Sequence, residues 1–150
     1  MPDILKLAAM DAEDLLVLSA HAQDAVIRPS EIVFEPKAKS LVIPANRFAW
    51  EAPGAQRWLF KSHERRRAAL HVAHVTGVAS SGMDRNDPQA VLSLLTIAFH
   101  ESQDEDDPGG TIELTFAGGA AMRVAVECIE IRLTDLGGAW EARSRPRHGI

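Results

Sequence analysis

The sequence predicts an α+β fold. It is an antiparallel sheet of six or seven strands, curled or forming a partly open barrel, with an N-terminal helix and a C-terminal helix. Three observations carry this. Residues 111–126 alternate apolar and polar side chains with the period of two that a half-buried strand requires. Residues 11–25 and 126–136 instead space apolar side chains by three and four. The links between strand candidates are short and rich in Gly, Pro, Asn and Asp, which favours hairpins over crossovers.

Asp11 is a suitable N-cap, with Asp14 in the reciprocal capping position. Leu15, Leu18, Ala22 and Ala25 share a face, so a helix spans about 12–22 and ends at Gln23-Asp24. Ala25 to Arg28 is short and partly β-branched, and Pro29, which cannot donate to a ladder, interrupts it. Ile32 and Phe34 resume the alternation, and Pro36-Lys37-Ala38-Lys39 reads as a turn. Leu41-Val42-Ile43 starts the return strand, which passes Pro44 and runs on through Phe48 and Trp50. The two prolines place this region at an edge or a bend. Residues 52–67 read as a loop. Ala68 to Val78 is the next strand; Val75 and Val78 fall out of phase with Leu70 and Val72, which a bulge repairs.

Val91 to His100 is apolar on both faces and reads as a strand buried on both sides. Asp107-Pro108-Gly109-Gly110 is a turn. Ile112, Leu114 and Phe116 point inward on the following strand, Gly118-Gly119 signals a hairpin, and Met122, Val124 and Val126 point inward on the return. Val126, Ile129, Leu133 and Leu136 then take helical spacing, with Gly137-Gly138 as a helix stop. A strand through Ile129, Ile131 and Leu133 is the competing reading. Residues 1–10 and 139–150 read as irregular ends of a single domain spanning 1–150. In order and length this outline is similar to a pleckstrin-homology-like barrel, an analogy that names no function.

The chain has 150 residues, 46% hydrophobic and 25% charged, and can bury roughly 70% of its unfolded surface without a disulfide or metal. Met1-Pro2-Asp3, followed by Asp11, Glu13 and Asp14, lacks the basic start and apolar run of a secretory signal. No apolar stretch approaches the roughly 20 residues that span a bilayer, so no membrane partner is expected. The single Cys128 suits a reducing cytoplasm. Arginine outnumbers lysine and tyrosine is absent, which fits a GC-rich bacterial coding bias. The net charge of −5 argues against a bulk nucleic-acid coat. The acids gather in Glu101 to Asp107, and arginines gather in 65–67 and 143–147.

One set of segments resembles a known family. It comprises Leu18 to Val26, Asn46 to Glu51, Val91 to Leu95, Ile112 to Gly119, Glu127 to Glu130, Asp135 to Gly137 and Arg145 to Gly149. Together they look like the bacterial domain-of-unknown-function family 2948, found mainly in alphaproteobacteria, over nearly the whole chain. The resemblance implies a small cytoplasmic protein and supplies no catalytic residues.

The residues themselves suggest three functional readings. Arg65, Arg66 and Arg67 near Trp58, and Arg143, Arg145 and Arg147 near Trp140, couple guanidinium groups to an aromatic, the composition of protein-binding hot spots. This favours a non-enzymatic binding or adaptor module, monomeric or homodimeric, with a protein partner and no cofactor. The alternative is a small metal-dependent or acid–base enzyme using His71, His74, His100 and Glu101, whose imidazoles and carboxylate suit zinc or iron. Residues three apart on a regular strand face opposite ways, so His71 and His74 need a bulge to converge. A third reading is a small-ligand carrier with the barrel mouth as pocket. Cys128, near the start of the expected last helix, reads as a small buried side chain. Asp135, Glu127 and Glu130 could form a carboxylate set for acid–base work, but helical spacing puts Glu127 and Glu130 on one exposed side, where carboxylates merely solvate.

Overall fold

The computed structural model describes residues 5–48 and 65–136. Asp11 adopts extended backbone angles and accepts the Asp14 amide at 2.7 Å, which starts α1 (Ala12–Ala22) as the sequence predicts. Leu15, Leu18 and Ala22 are buried against the sheet. The strands are β1 (Lys6–Ala9), β2 (Val26–Ile27), β3 (Val33–Glu35), β4 (Ser40–Phe48), β5 (Arg65–Val72), β6 (Val75–Ser81), β7 (Leu92–Glu101), β8 (Gly110–Phe116), β9 (Ala121–Val126) and β10 (Ile131–Asp135). They form an open antiparallel sheet in the order β1-β10-β5-β4-β2-β7-β8-β9-β6, with β3 beside β4.

The prolines explain the middle of the sheet. β3 pairs β4 at Val33↔Val42, and β2 pairs β4 at Ile27↔Ala45, so Ile43 and Pro44 face the gap between β2 and β3. A 3-10 turn over Pro29–Glu31 fills that gap. Pro44, which has no N–H to give, therefore sits where the neighbouring strand is interrupted.

Two pairs of strands turn together. β5 and β6 are separated by Ala73 and by His74, which takes a left-handed φ of 59°. Opposite them, residues 127–130 separate β9 from β10. The Ala73 amide donates to Glu130 at 2.9 Å and the Glu127 amide to His74 at 2.9 Å, so both links bend as one ribbon. Residues 68–78, expected as one strand with a bulge, are therefore two strands: the change of phase after Val72 is the Ala73-His74 link, and a register shift follows between Val75 and Gly77.

Three sequence expectations are corrected. Among the described residues the sheet has ten strands rather than six or seven, is open and is accompanied by one α-helix, which overturns the α+β, pleckstrin-homology-like outline; β1 falls within the expected irregular end, 25–34 divides into β2 and β3 around Pro29, and 68–78 divides into β5 and β6 at Ala73 and His74. The expected C-terminal helix is strand β10 up to Asp135. Its apparent helical spacing arises because the link at 127–130 shifts the phase between two strands whose inward residues are Val126 on one side and Ile131 and Leu133 on the other. β7 is not buried on both faces: Leu94 and Ile97 point inward while Leu95 and Thr96 are exposed. A register shift between Leu94 and Thr96 permits this, and the Ile97 amide there donates to Ser19 Oγ of α1 at 2.9 Å. By contrast, Ile112, Leu114, Phe116, Met122, Val124 and Val126 are all buried as the alternation requires. The β8–β9 hairpin turns through Gly118 and Gly119 at φ of 88° and 92°.

Candidate functional site

Strands β4, β5 and β10 end side by side, and this end of the sheet collects the most unusual chemistry among the described residues. The inward phase of β4 runs Leu41, Ile43, Ala45 and then Arg47. On β10 it runs Ile131, Leu133 and then Asp135. Arg47 is 0% exposed and Asp135 4%, so both charges lie in the core phase. Arg47 Nε donates to Asp135 Oδ1 at 2.7 Å and Nη2 to Oδ2 at 2.8 Å, a bidentate pair. β5 lies between them, and its Ala68 pairs Asp135 on one side and Ala45 on the other. That alanine leaves room for the guanidinium to pass over β5.

Asp135 also fixes the start of the sheet. Its Oδ2 accepts the Leu5 amide at 3.0 Å, and its own amide donates to the Leu5 carbonyl at 2.9 Å. Burial works to raise the Asp135 carboxyl, but the hydrogen bonds from Arg47 and Leu5 and the charges of Arg47 and Arg66 outweigh it and hold the group below its ordinary value. Arg66 stands in register with Arg47. On the outer face, Arg67 Nη2 donates to Glu31 Oε1 at 3.0 Å and Nη1 to Asn46 Oδ1 at 3.4 Å. The Leu136 amide donates to the Arg67 carbonyl at 2.8 Å.

The arginine run is thus part of this rim. Arg65 pairs Phe48 through the ladder, Arg66 is half-buried beside the ion pair, and Arg67 braces the 3-10 turn. Trp58, Trp140, Arg143, Arg145 and Arg147 lie outside the described residues. The chain segments that carry them, 49–64 and 137–150, adjoin the ends of β4, β5 and β10 at this rim. The acidic run from Glu101 lies elsewhere. Glu101 aligns with Gly110, Gly110 with Val126 and Val126 with Val75, which puts the run beside the bend at the other end of β5.

The four groups of the metal reading do not form a ligand set. His71 Nε2 lies 2.8 Å from Ser40 Oγ, His74 Nε2 2.8 Å from Glu130 Oε1, and His100 Nε2 3.0 Å from Glu113 Oε1. Glu101 ends β7 and is exposed. Among the described residues no group of three or more His, Cys, Asp and Glu could hold a metal ion. Cys128 is a half-buried free thiol in the link after β9, so the helix start invoked for it is replaced by a bend. Glu127 and Glu130 are paired rather than merely solvated: Lys39 Nζ lies 2.8 Å from Glu127, and Glu130 also meets Arg132 at 3.1 Å. The hydrogen bond from Lys39 holds the Glu127 carboxyl below its ordinary value, and those from His100 and then Arg123 do the same for Glu113.

Arg47 was missed by sequence reasoning. Its signal was present: an arginine in phase with Leu41, Ile43 and Ala45 on a strand. Its partner could be found only once 131–135 is read as a strand, which brings Asp135 into phase with Ile131 and Leu133.

Over the described residues, fold and site together define a predominantly antiparallel β protein with one α-helix and a buried arginine–aspartate lock at one end of its sheet. The chain belongs to the family described as protein of unknown function DUF2948, whose model matches residues 5–148. No curated protein and no solved structure matches it. Among the described residues no helix is long and apolar enough to cross a membrane.

Proposed function

We propose that this protein is a non-enzymatic protein-binding module of the bacterial cytoplasm, and that the rim of β4, β5 and β10 is its contact end. The observation that carries this is the common origin of the two arginine–tryptophan segments. In sequence they are some 80 residues apart. In the fold, the strands that lead into and out of them are neighbours in one sheet, joined by the Arg47–Asp135 pair. The reading therefore assigns Trp58 and Trp140 with their arginines to one contact rather than two. Arginine and tryptophan are the residues that carry binding energy most often at interface centres. The enzymatic alternative gains nothing from the geometry, since each imidazole is engaged with a different partner.

The test is affinity capture from native cytoplasm with wild type, with Arg143→Glu/Arg145→Glu/Arg147→Glu and with Trp58→Ala/Trp140→Ala. Thermal unfolding of each variant checks that the fold is intact. The reading expects one or more proteins held by wild type and lost by both variants. Identical partner lists for all three would refute it.

A further inference from the structure

A strand at a sheet edge presents a row of backbone N–H and C=O groups that another extended chain can pair with, and most proteins protect such edges. Three edge strands occur among the described residues. β1 has four residues and carries Lys6. β3 has three, ends in Glu35, and has Arg85 Nη2 bonded to the adjacent Ile32 carbonyl at 2.9 Å. Shortness, charge and cover protect both. β6 has none of these beyond its bulge at Val75/Gly77. From Gly77 to Ser81 it reads Gly-Val-Ala-Ser-Ser, without charge or proline, and among the described residues it is paired by β9 alone.

The face beside this edge says what would lie there. Ala79 pairs Arg123 and Ser81 pairs Ala121, and these four with Ser80 line a shallow depression. The Arg123 side chain is 70% exposed, and its Nε donates to Glu113 Oε2 at 3.3 Å. Its two terminal nitrogens carry no bond among the described residues, and Glu113 is shared with His100. A chain added to β6 would run about 4.8 Å beyond it, so a side chain opposite Ala79 stands roughly two strand spacings from Arg123. Only a methyl group intervenes, and an Asp or Glu side chain reaches across it to the guanidinium.

We propose that the Gly77–Ser81 edge is a strand-addition site for an extended peptide of a partner protein, one that sets an acidic side chain over Ala79 against Arg123. Backbone pairing supplies attachment, and the depression with Arg123 supplies selectivity. This surface is separate from the arginine rim, and the inference stands without the reading given to that rim.

The experiment is selection of random twelve-residue peptides displayed on phage against the full chain, followed by titration of the synthesised winners and their Glu→Gln or Asp→Asn versions. Binding is read by amide NMR shifts. The expected winners alternate β-branched residues around one acid and shift amides of residues 77–81 and 121–123. Ala79→Lys, an exposed position, is expected to weaken them at least tenfold with the rest of the spectrum unchanged. Arg123→Gln is expected to erase the difference between acid and amide peptides. Failure to select any peptide, shifts confined to other strands, or equal binding by Ala79→Lys would overturn the proposal. So would a homodimer of the free protein in sedimentation that Ala79→Lys dissolves, because the edge would then belong to a second copy.

Discussion

Replacing Asp135 by Asn keeps the shape of the side chain and removes its charge. Arg47, buried at 0% exposure, then faces an amide whose NH₂ group must displace one of the two bonds at 2.7 and 2.8 Å. Removing one partner of a buried ion pair costs about 3–5 kcal/mol, because the remaining charge stays in the core with its carboxylate gone. At about 2–4 °C per kcal/mol for a chain of this size, the midpoint of thermal unfolding should fall by roughly 6–20 °C. The Leu5 amide, 3.0 Å from Oδ2, is expected to loosen with it, so hydrogen exchange of β1 should rise more than that of β8. Replacing both partners, Arg47→Met with Asp135→Leu, should recover more than half of the loss, since an apolar pair leaves no stranded charge. A urea double-mutant cycle measures this coupling directly. A loss below about 1 kcal/mol for Asp135→Asn, or no coupling in the cycle, would show that the pair is solvated and that the rim is not locked as described.

Further outcomes follow from the same geometry. The Asp135 carboxyl is held below its ordinary value when folded, so its contribution to stability is present above the unfolded carboxylate range near 3.9 and is lost as pH falls through the lower folded value. Stability against pH should therefore fall less steeply below about pH 4 in Asp135→Asn than in wild type, as urea midpoints will show. Asp11→Ala removes the acceptor of the Asp14 amide at 2.7 Å and should cost about 1 kcal/mol in urea denaturation. Gly110→Ala would drive a methyl group into the His100 carbonyl and the Phe99 ring. That change should cost about 1–3 kcal/mol, whereas Gly77→Ala, whose added carbon meets nothing within 4 Å, should cost much less by the same assay. If the two glycine variants lose equal stability, the packing described at the start of β8 is wrong.

Much of the fold was legible because the signals are local. Asp11 with Leu15, Leu18 and Ala22 specifies α1 within one stretch. Ile112 to Val126 specifies a hairpin through strict alternation around two glycines. What was not legible depends on pairing at a distance. β1 is four residues long within an expected irregular end and is a strand because β10 lies beside it. The spacing of Val126, Ile129 and Leu133 suits a helix or a strand–bend–strand equally, and only the pairing of β10 with β5 and β1 decides between them. The same holds for the site. The arginine run at 65–67 stands out in the sequence, but Arg47 and Asp135, 88 residues apart, meet only through the order of β4, β5 and β10. The histidines illustrate the reverse case: the left-handed turn at His74 reorients the backbone that sequence reasoning required to bend, yet each ring finds its own neighbour.

The claim that one end of the sheet is a contact surface is tested most directly by photo-crosslinking in living cells. A benzophenone amino acid is placed at position 58, at position 140 and, as a control, at exposed Leu16 on α1. The account predicts the same discrete protein joined to the chain from positions 58 and 140 and not from position 16. Identical crosslinking from all three positions, or none above background from 58 and 140, would contradict it.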